Sequence, residues 1–296
     1  MKTKLTIILA LVASTMSAQM LTRDNEKLDT LCQTKFTAVY QYSINTSDAE
    51  KQPVTDSIRL ALQVGDGVWK TWTYERYLFQ QQRDEEIGED HYWFMHNEAL
   101  MHIATTTVGY PEGKTITLES IPPLQYEVTE DTEMPTWNMV EGSDSVCGYL
   151  CQKAVGKYGG RTWTAWYSEE VSAPYGPWKL RGLPGMILKA EDKDGIFRFD
   201  FAGLMQQTAK MAYMGKNGYT TMERNKFISR RNKTFCSKQY VQNPRYYIPD
   251  GTYDHLNIIE MWAGGPEPPA EDKISVVATD MIIPKKVNKY QPLELK

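Results

Sequence analysis

The stretch that decides the fold is residues 137–167, WNMVEGSDSVCGYLCQKAVGKYGGRTWTAWY. Trp137 to Val140, Tyr149 to Val155 and Thr162 to Tyr167 are short runs rich in aromatic and β-branched residues, the types that fit a pleated surface. Turn chemistry separates them: Gly142-Ser143-Asp144 between the first two, Gly159-Gly160 between the last two. Strands at this spacing predict an antiparallel meander.

Working outward, the same signals recur. Residues 31–44 place Phe36, Ala38, Tyr40 and Tyr42 on alternate positions, and residues 57–64 alternate Ile58, Leu60 and Leu62 against Arg59 and Gln63 before Gly65-Asp66-Gly67. Residues 68–79 read as strand or short helix. Residues 100–108, 115–118 and 126–129 read as strands, and Pro122-Pro123 bars a central strand where it lies. Residues 174–185 are too rich in Gly and Pro for a regular element. Met186 to Ala190, the turn Asp192 to Gly195 and Ile196 to Phe201 read as a hairpin. Residues 203–214 fit strand and helix equally. Residues 221–240, with Arg224, Lys226, Arg230, Arg231, Lys233 and Lys238, suit a helix whose basic residues form a solvated face. Residues 274–278 and 281–283 suit a last strand. The fold expected is mostly β, an antiparallel sheet forming a sandwich or a strongly curved partial barrel with minor helix, with no βαβ spacing.

Composition narrows the function classes. The chain has 296 residues, a net charge of −4 and 24% charged residues; its pI is about 5.7 and its mean hydropathy −0.51. An acidic chain of ordinary composition excludes a nucleic-acid binder that relies on a basic surface. Residues 1–18, MKTKLTIILALVASTMSA, have the layout of a secretory signal: Lys2 and Lys4, an apolar run from Leu5 to Ala13, and small residues at Ser17 and Ala18. That run is too short to cross a bilayer, and no later stretch predicts a transmembrane segment. With no cysteine at the cut, the expectation is export to the periplasm or cell exterior without a lipid anchor. Residues 19–296 then form a single β-rich domain, with a Pro/Gly-rich connector near 264–270. Cys32, Cys147, Cys151 and Cys236 permit disulfides, and a turn at Gly148 could bring Cys147 to Cys151.

The central motifs carry a resemblance. Gly148 to Ala154 (GYLCQKA), Gly160-Arg161, Ala165-Trp166-Tyr167, Gly176-Pro177-Trp178-Lys179 and Gly182-Leu183-Pro184-Gly185-Met186-Ile187-Leu188 follow one another. This run resembles the GLPGLI family of exported Bacteroidetes proteins, with Met186 in place of the usual Leu. The closing stretch Asn288 to Leu295, NKYQPLEL, is similar to that family's closing pattern. The resemblance implies export and lineage, and it brings no activity.

The residues of these motifs have their own physics. Trp178 and Leu183 can anchor a loop by burial. Gly182 and Gly185 permit positive φ or close backbone approach, and Pro184 restricts Leu183. Arg161, Trp166, Tyr167, Trp178, Leu183 and Pro184 form the candidate binding or loop platform. The leading expectation is a non-enzymatic envelope protein that binds an apolar or peptide ligand or an envelope protein partner. No cofactor is called for, and the sequence leaves oligomeric state open. Two alternatives stand beside it. His91, Met95, His96, Met101 and His102 supply imidazole and thioether ligands of the type that suits copper. An unrecognised periplasmic hydrolase would need facing carboxylates; Glu169-Glu170, Asp131 and Glu133 give no reason to choose a pair. Nucleophile elbow, zinc-protease helix and dinucleotide fingerprint are all absent from the sequence.

Overall fold

The computed structural model describes residues 21–23, 29–47, 53–74, 76–78, 80–81, 92–94, 103–121, 124–206, 208–213, 215, 219–235, 274–276 and 293–295. The chain divides into two compact units. The smaller comprises Met1–Leu28, Glu75–Asn97 and Ile248–Thr279, the larger Asp29–Tyr74, Glu98–Tyr247 and Asp280–Lys296. In the smaller unit, β1 (Leu21–Arg23) lies antiparallel to β6 (Tyr92–Phe94), and β17 (Ile274–Val276) lies parallel to β6 on the other side. The signal segment 1–18 and the connector 264–270 lie outside the described residues.

The larger unit is built on one twelve-stranded sheet. Its strands in chain order are β3 (Phe36–Ser47), β4 (Pro53–Val64), β5 (Trp69–Thr73), β7 (Thr105–Val108), β8 (Lys114–Ile121), β9 (Leu124–Asp131), β10 (Thr136–Val146), β11 (Tyr149–Tyr158), β12 (Arg161–Ser168), β13 (Met186–Asp192), β14 (Phe197–Met205) and β16 (Tyr219–Thr221). The spatial order is β10-β11-β12-β13-β14-β3-β4-β5-β7-β8-β9-β16. Every neighbouring pair is antiparallel except β16 on β9. The protein is therefore mostly β, as expected. Its main sheet is open, ending at β10 and β16 rather than closing into a barrel.

Register explains which face is buried. Directly opposed residues share a face, so one row runs Ala154, Ala165, Ala190, Phe199, Tyr42 and Ile58 across six strands. All six are buried in one core with Leu180, Leu183 and Trp178 of the loop after β12. Three alanines in succession leave room over the sheet for those larger loop side chains. Tyr42 stacks on Phe199 with centroids 5.0 Å apart, and the Tyr40 hydroxyl donates to Ile187 O at 2.7 Å. The opposite face is polar over β11 to β14. There Trp166 sits with Lys189 Nζ 4.3 Å and Lys153 Nζ 5.6 Å from its ring centroid.

The inner face changes character along the sheet. Past β4 it runs through Thr71, Thr106 and Thr117 to carboxylates. Glu130 lies on the row of Val64, Trp69, Val108 and Thr115, and Glu119 opposes Tyr126. The outer face of this half is covered by a two-stranded sheet, β2 (Asp29–Gln33) with β15 (Lys210–Tyr213). Buried Lys70 donates to Ala212 O at 2.8 Å and lies 3.1 Å above the Trp72 ring.

Several local expectations resolve differently. Residues 31–44 hold two strands, broken at Thr34-Lys35. The stretch read as strand or short helix holds both: β5 ends at Thr73, and the backbone is helical at Tyr74 and residues 76–78. Gly142-Ser143-Asp144 makes no turn; it is an irregularity inside β10, where register shifts between Val140 and Ser143. The turn falls at Cys147-Gly148, both left-handed (φ 50° and 87°), the conformation that hairpin twist favours. Gly159-Gly160 turns in the same way, at φ 59° and 80°. The helix α1 (Arg224–Phe235) forms, but its basic residues are not one solvated face, because Arg231 is buried with Phe227 and Phe235.

Candidate functional site

Residues 169–185 leave β12 and fold back over the inner face. Backbone bonds fix their path: Gly182 N–H donates to Pro174 O (3.1 Å), Met186 N–H to Val171 O (3.2 Å) and Ile187 N–H to Tyr175 O (3.0 Å). Trp178 is the anchor. It is buried, with ring centroids of Tyr158 and Trp163 at 5.4 and 5.9 Å, and its N–H donates to Thr71 Oγ1 at 3.0 Å. Its φ is +58°, a left-handed value costly for a bulky residue. Gly182 is left-handed at φ +86°. A Cβ on Gly185 would strike the Ser168 carbonyl, so the second glycine of the motif serves close approach.

Beside this loop lies a buried group of charges. Lys179 Nζ donates to Glu130 Oε1 at 2.6 Å and to Glu294 Oε2 at 3.1 Å. From α1, Arg224 reaches Glu130 (2.7 Å) and Glu294 (3.0 Å), and Arg231 reaches Glu119 (3.5 Å). Among the described residues, three cations face three carboxylates, a balance that makes burial tolerable. Burial pushes the Glu119 carboxyl above its ordinary range against the pull of Arg231. Burial also pushes Glu294 up, but Lys179 and Arg224 outweigh it and hold Glu294 below its ordinary range.

The segment Leu293–Leu295 threads through these charges. Arg161 Nε donates to Leu293 O at 3.1 Å, Arg231 Nη2 donates to Glu294 O at 3.0 Å, and Leu295 N–H donates to Gly159 O at 2.7 Å. Arg161 is held in turn by Asp192 Oδ2 at 3.0 Å and lies over the Phe197 ring at 4.6 Å. Asp192 Oδ1 accepts from Ile196 N–H and Phe197 N–H, both at 2.8 Å, which fixes the β13–β14 turn. The carboxylates here are spent on ion pairs and on seating this segment. The arrangement clamps; it does not present an open acid–base pair.

The third feature is the free edge of the sheet. β10 is terminal in the strand order, and among the described residues no strand pairs with its outer side. It is exposed along nearly all its length. Met139 (63%), Val140, Leu150 (66%) and Met134 are exposed large apolar residues. Trp137 lies against Gly156, where any Cβ would collide with its indole, and its Nε1–H donates to Arg181 O at 2.7 Å. Exposed Glu133, Glu141, Asp144, Glu169 and Glu170 surround this edge, with Lys153 and Lys157 on β11.

The residues expected to form one platform are thus divided. Trp178 and Leu183 are core, and Tyr167 is buried with its hydroxyl on Gln152 Oε1 at 2.9 Å. Trp166 is on the opposite face, Pro184 is exposed, and Arg161 is buried against the 293–295 segment. They do not converge on one surface. Cys32, Cys147 and Cys151 are free thiols, so the disulfides that the cysteine count permitted do not form among the described residues, and the turn at Gly148 does not join Cys147 to Cys151; Cys236 lies outside the described residues. So do His91, Met95, His96, Met101 and His102. Among the described residues, no cluster of three His, Cys, Asp or Glu forms a metal site, and no helix is long and apolar enough to cross a membrane. Asp131 pairs with Lys114 at 2.6 Å, while Glu170 and Glu169 bond Leu150 N–H and Gln152. None of these carboxylates meets another.

Glu119, Glu130, Lys179 and Glu294 went unread in the sequence because their partners are distant along the chain. One signal was present: Arg161, Lys179 and Glu294 sit in three of the six quoted motifs, and these three meet in space.

No protein-family model matches the sequence, and no curated protein matches it. Among solved structures, PNGF-II is similar at 12% identity and a TM-score of 0.40, over 67% of this chain and 34% of that one. A LolA superfamily protein from Nitrosomonas europaea is similar at 9% identity and a TM-score of 0.22, over 71% of this chain and 97% of that one. A DUF1329 family protein from Desulfovibrio piger gives 10% identity and a TM-score of 0.18, over 66% and 92%. The chain spans about a third of the length of PNGF-II, and all three likenesses are remote.

Proposed function

We propose that this chain is an exported envelope protein of the GLPGLI type that binds an extended polypeptide along the β10 edge. The observation that carries this reading is the exposed edge strand itself, whose first half holds Trp137, Met139 and Val140. Natural sheets blunt such edges with charges and bulges, because unpaired N–H and C=O groups template pairing with another chain; on β10 the register shift and the acids Glu141 and Asp144 come only after Val140, which leaves residues 136–140 regular. Here an eleven-residue edge keeps Met139 and Val140 in solvent, with exposed Leu150 beside it on β11. An added strand would satisfy the backbone and bury these side chains, the mode in which main-chain bonds give affinity and alternate side chains give specificity. The acidic surround selects a segment that mixes apolar with basic residues. A small apolar ligand held on the inner face is less well supported, since that face is filled by the protein's own Tyr40, Tyr42, Phe199 and Trp178. The signal-like segment 1–18 supports a periplasmic or extracellular location.

The test is site-specific photocrosslinking in cells that export the protein. A photoreactive residue at Met139 should give a discrete protein adduct whose linked stretch is apolar and basic. The same residue at Thr164, on the polar face, should give none. Equal yields at both positions, or adducts at Met139 made only of lipid, refute the reading.

A further inference from the structure

We propose a second, separate site: the cleft between the Gly159-Gly160 turn, the Lys179 loop and α1 binds short extended peptides that carry an apolar residue followed by Glu, and Leu293–Leu295 fills it in cis. The contacts are those of peptide recognition rather than of ordinary side-chain packing. Two successive carbonyls, of Leu293 and Glu294, accept from the guanidinium groups of Arg161 and Arg231. The next N–H, of Leu295, donates to the Gly159 carbonyl. The central carboxylate is gripped by Lys179 and Arg224. Leu293 enters the core and Glu294 meets the cations, while Leu295 stays 49% exposed, so the first two side chains carry the recognition.

The receptor side is shaped for this occupant. A Cβ on Gly159 would come 3.1 Å from Glu294 Cγ and 3.3 Å from the Trp178 ring, so the turn is left bare where the peptide lies. Every receptor group is 63 or more residues from the segment in sequence. Arg161 is braced by Asp192, and Lys179 and Arg224 are braced by Glu130. Charge-assisted bonds of this kind give selectivity for a carboxylate. One buried leucine plus those bonds suits affinity on the order of micromolar to millimolar, which permits exchange.

The experiment uses the full chain with a specific protease site in place of residues 284–288, cut after folding. Native mass spectrometry then follows the released fragment, and fluorescence anisotropy follows its exchange for a labelled Gln291–Lys296 peptide. The expected result is a retained fragment that exchanges with the labelled peptide. A peptide carrying Glu294→Gln should bind at least about tenfold more weakly. Three results overturn the proposal: a fragment that leaves and is not replaced, equal binding of the Gln peptide, or loss of the sheet's circular dichroism on cutting. The last would make the segment an integral part of the core. None of these outcomes bears on crosslinking at Met139.

Discussion

Replacing Trp178 tests how the loop is held. The indole is 3% exposed and packed between Tyr158 and Trp163, so Trp178→Ala removes a fully buried ring and leaves a cavity beside the charged cleft. Such truncations cost about 3–5 kcal/mol. The backbone supplies a second, independent handle. At φ +58° alanine inherits the left-handed penalty that tryptophan carries, whereas glycine escapes it. Trp178→Gly should therefore be about 1 kcal/mol more stable than Trp178→Ala, although it removes more side chain. This order reverses what is found in a helix or strand. Urea melts followed by far-UV circular dichroism give both numbers. A loss below about 0.5 kcal/mol for Trp178→Ala would show that the ring is not an anchor. A glycine variant no more stable than the alanine variant would show that the left-handed backbone is wrong.

Acid stability reports on the charged cleft. Glu294 is held below its ordinary value of 4.5, so its contribution is complete above about pH 4.5 and is lost as pH falls through the folded value. Glu119, raised by burial, works in the opposite sense, its contribution fading as pH rises through its own folded value. Glu294→Gln should lower Tm most near neutral pH, and the gap should close as pH falls below 4.5 and through the folded value; a gap constant with pH refutes this assignment. For the turn, alkylation followed by mass spectrometry should modify exposed Cys147 in the folded protein and Cys151, buried and with its thiol pushed up by burial, only after unfolding. Because Cys147-Gly148 is left-handed at both positions, Cys147→Asn should preserve or raise stability by up to about 1 kcal/mol; a destabilised variant in thermal melts would reject the turn assignment.

Local pattern carried much of the fold. The alternation in 36–44 and 57–64 predicts β3 and β4, and Gly159-Gly160 and Asp192–Gly195 predict two of the turns, because period-two burial and left-handed glycines are short-range properties. The hairpin turn at Cys147-Gly148, which the sequence offered only as a way to bring two cysteines together, has the same origin seen from the other side. Cysteine carries no turn signal, while Gly142-Ser143-Asp144 carries a strong one, and pairing across β10 and β11 overrode it as a bulge. The basic stretch 221–240 was readable as a helix. Its inward arginines were not, since a guanidinium is buried only where carboxylates from other elements await it.

What the sequence alone determined is the class of structure: an antiparallel β protein with a Gly/Pro loop anchored by Trp178. These follow from residue types and their spacing over a few positions. Tertiary structure alone decided the open edge at β10 and the meeting of Arg161, Lys179 and Glu294. An edge is defined by the strand that is not beside it. A buried ion pair is defined by two residues, here 115 positions apart for Lys179 and Glu294, whose approach depends on the register of every strand between them.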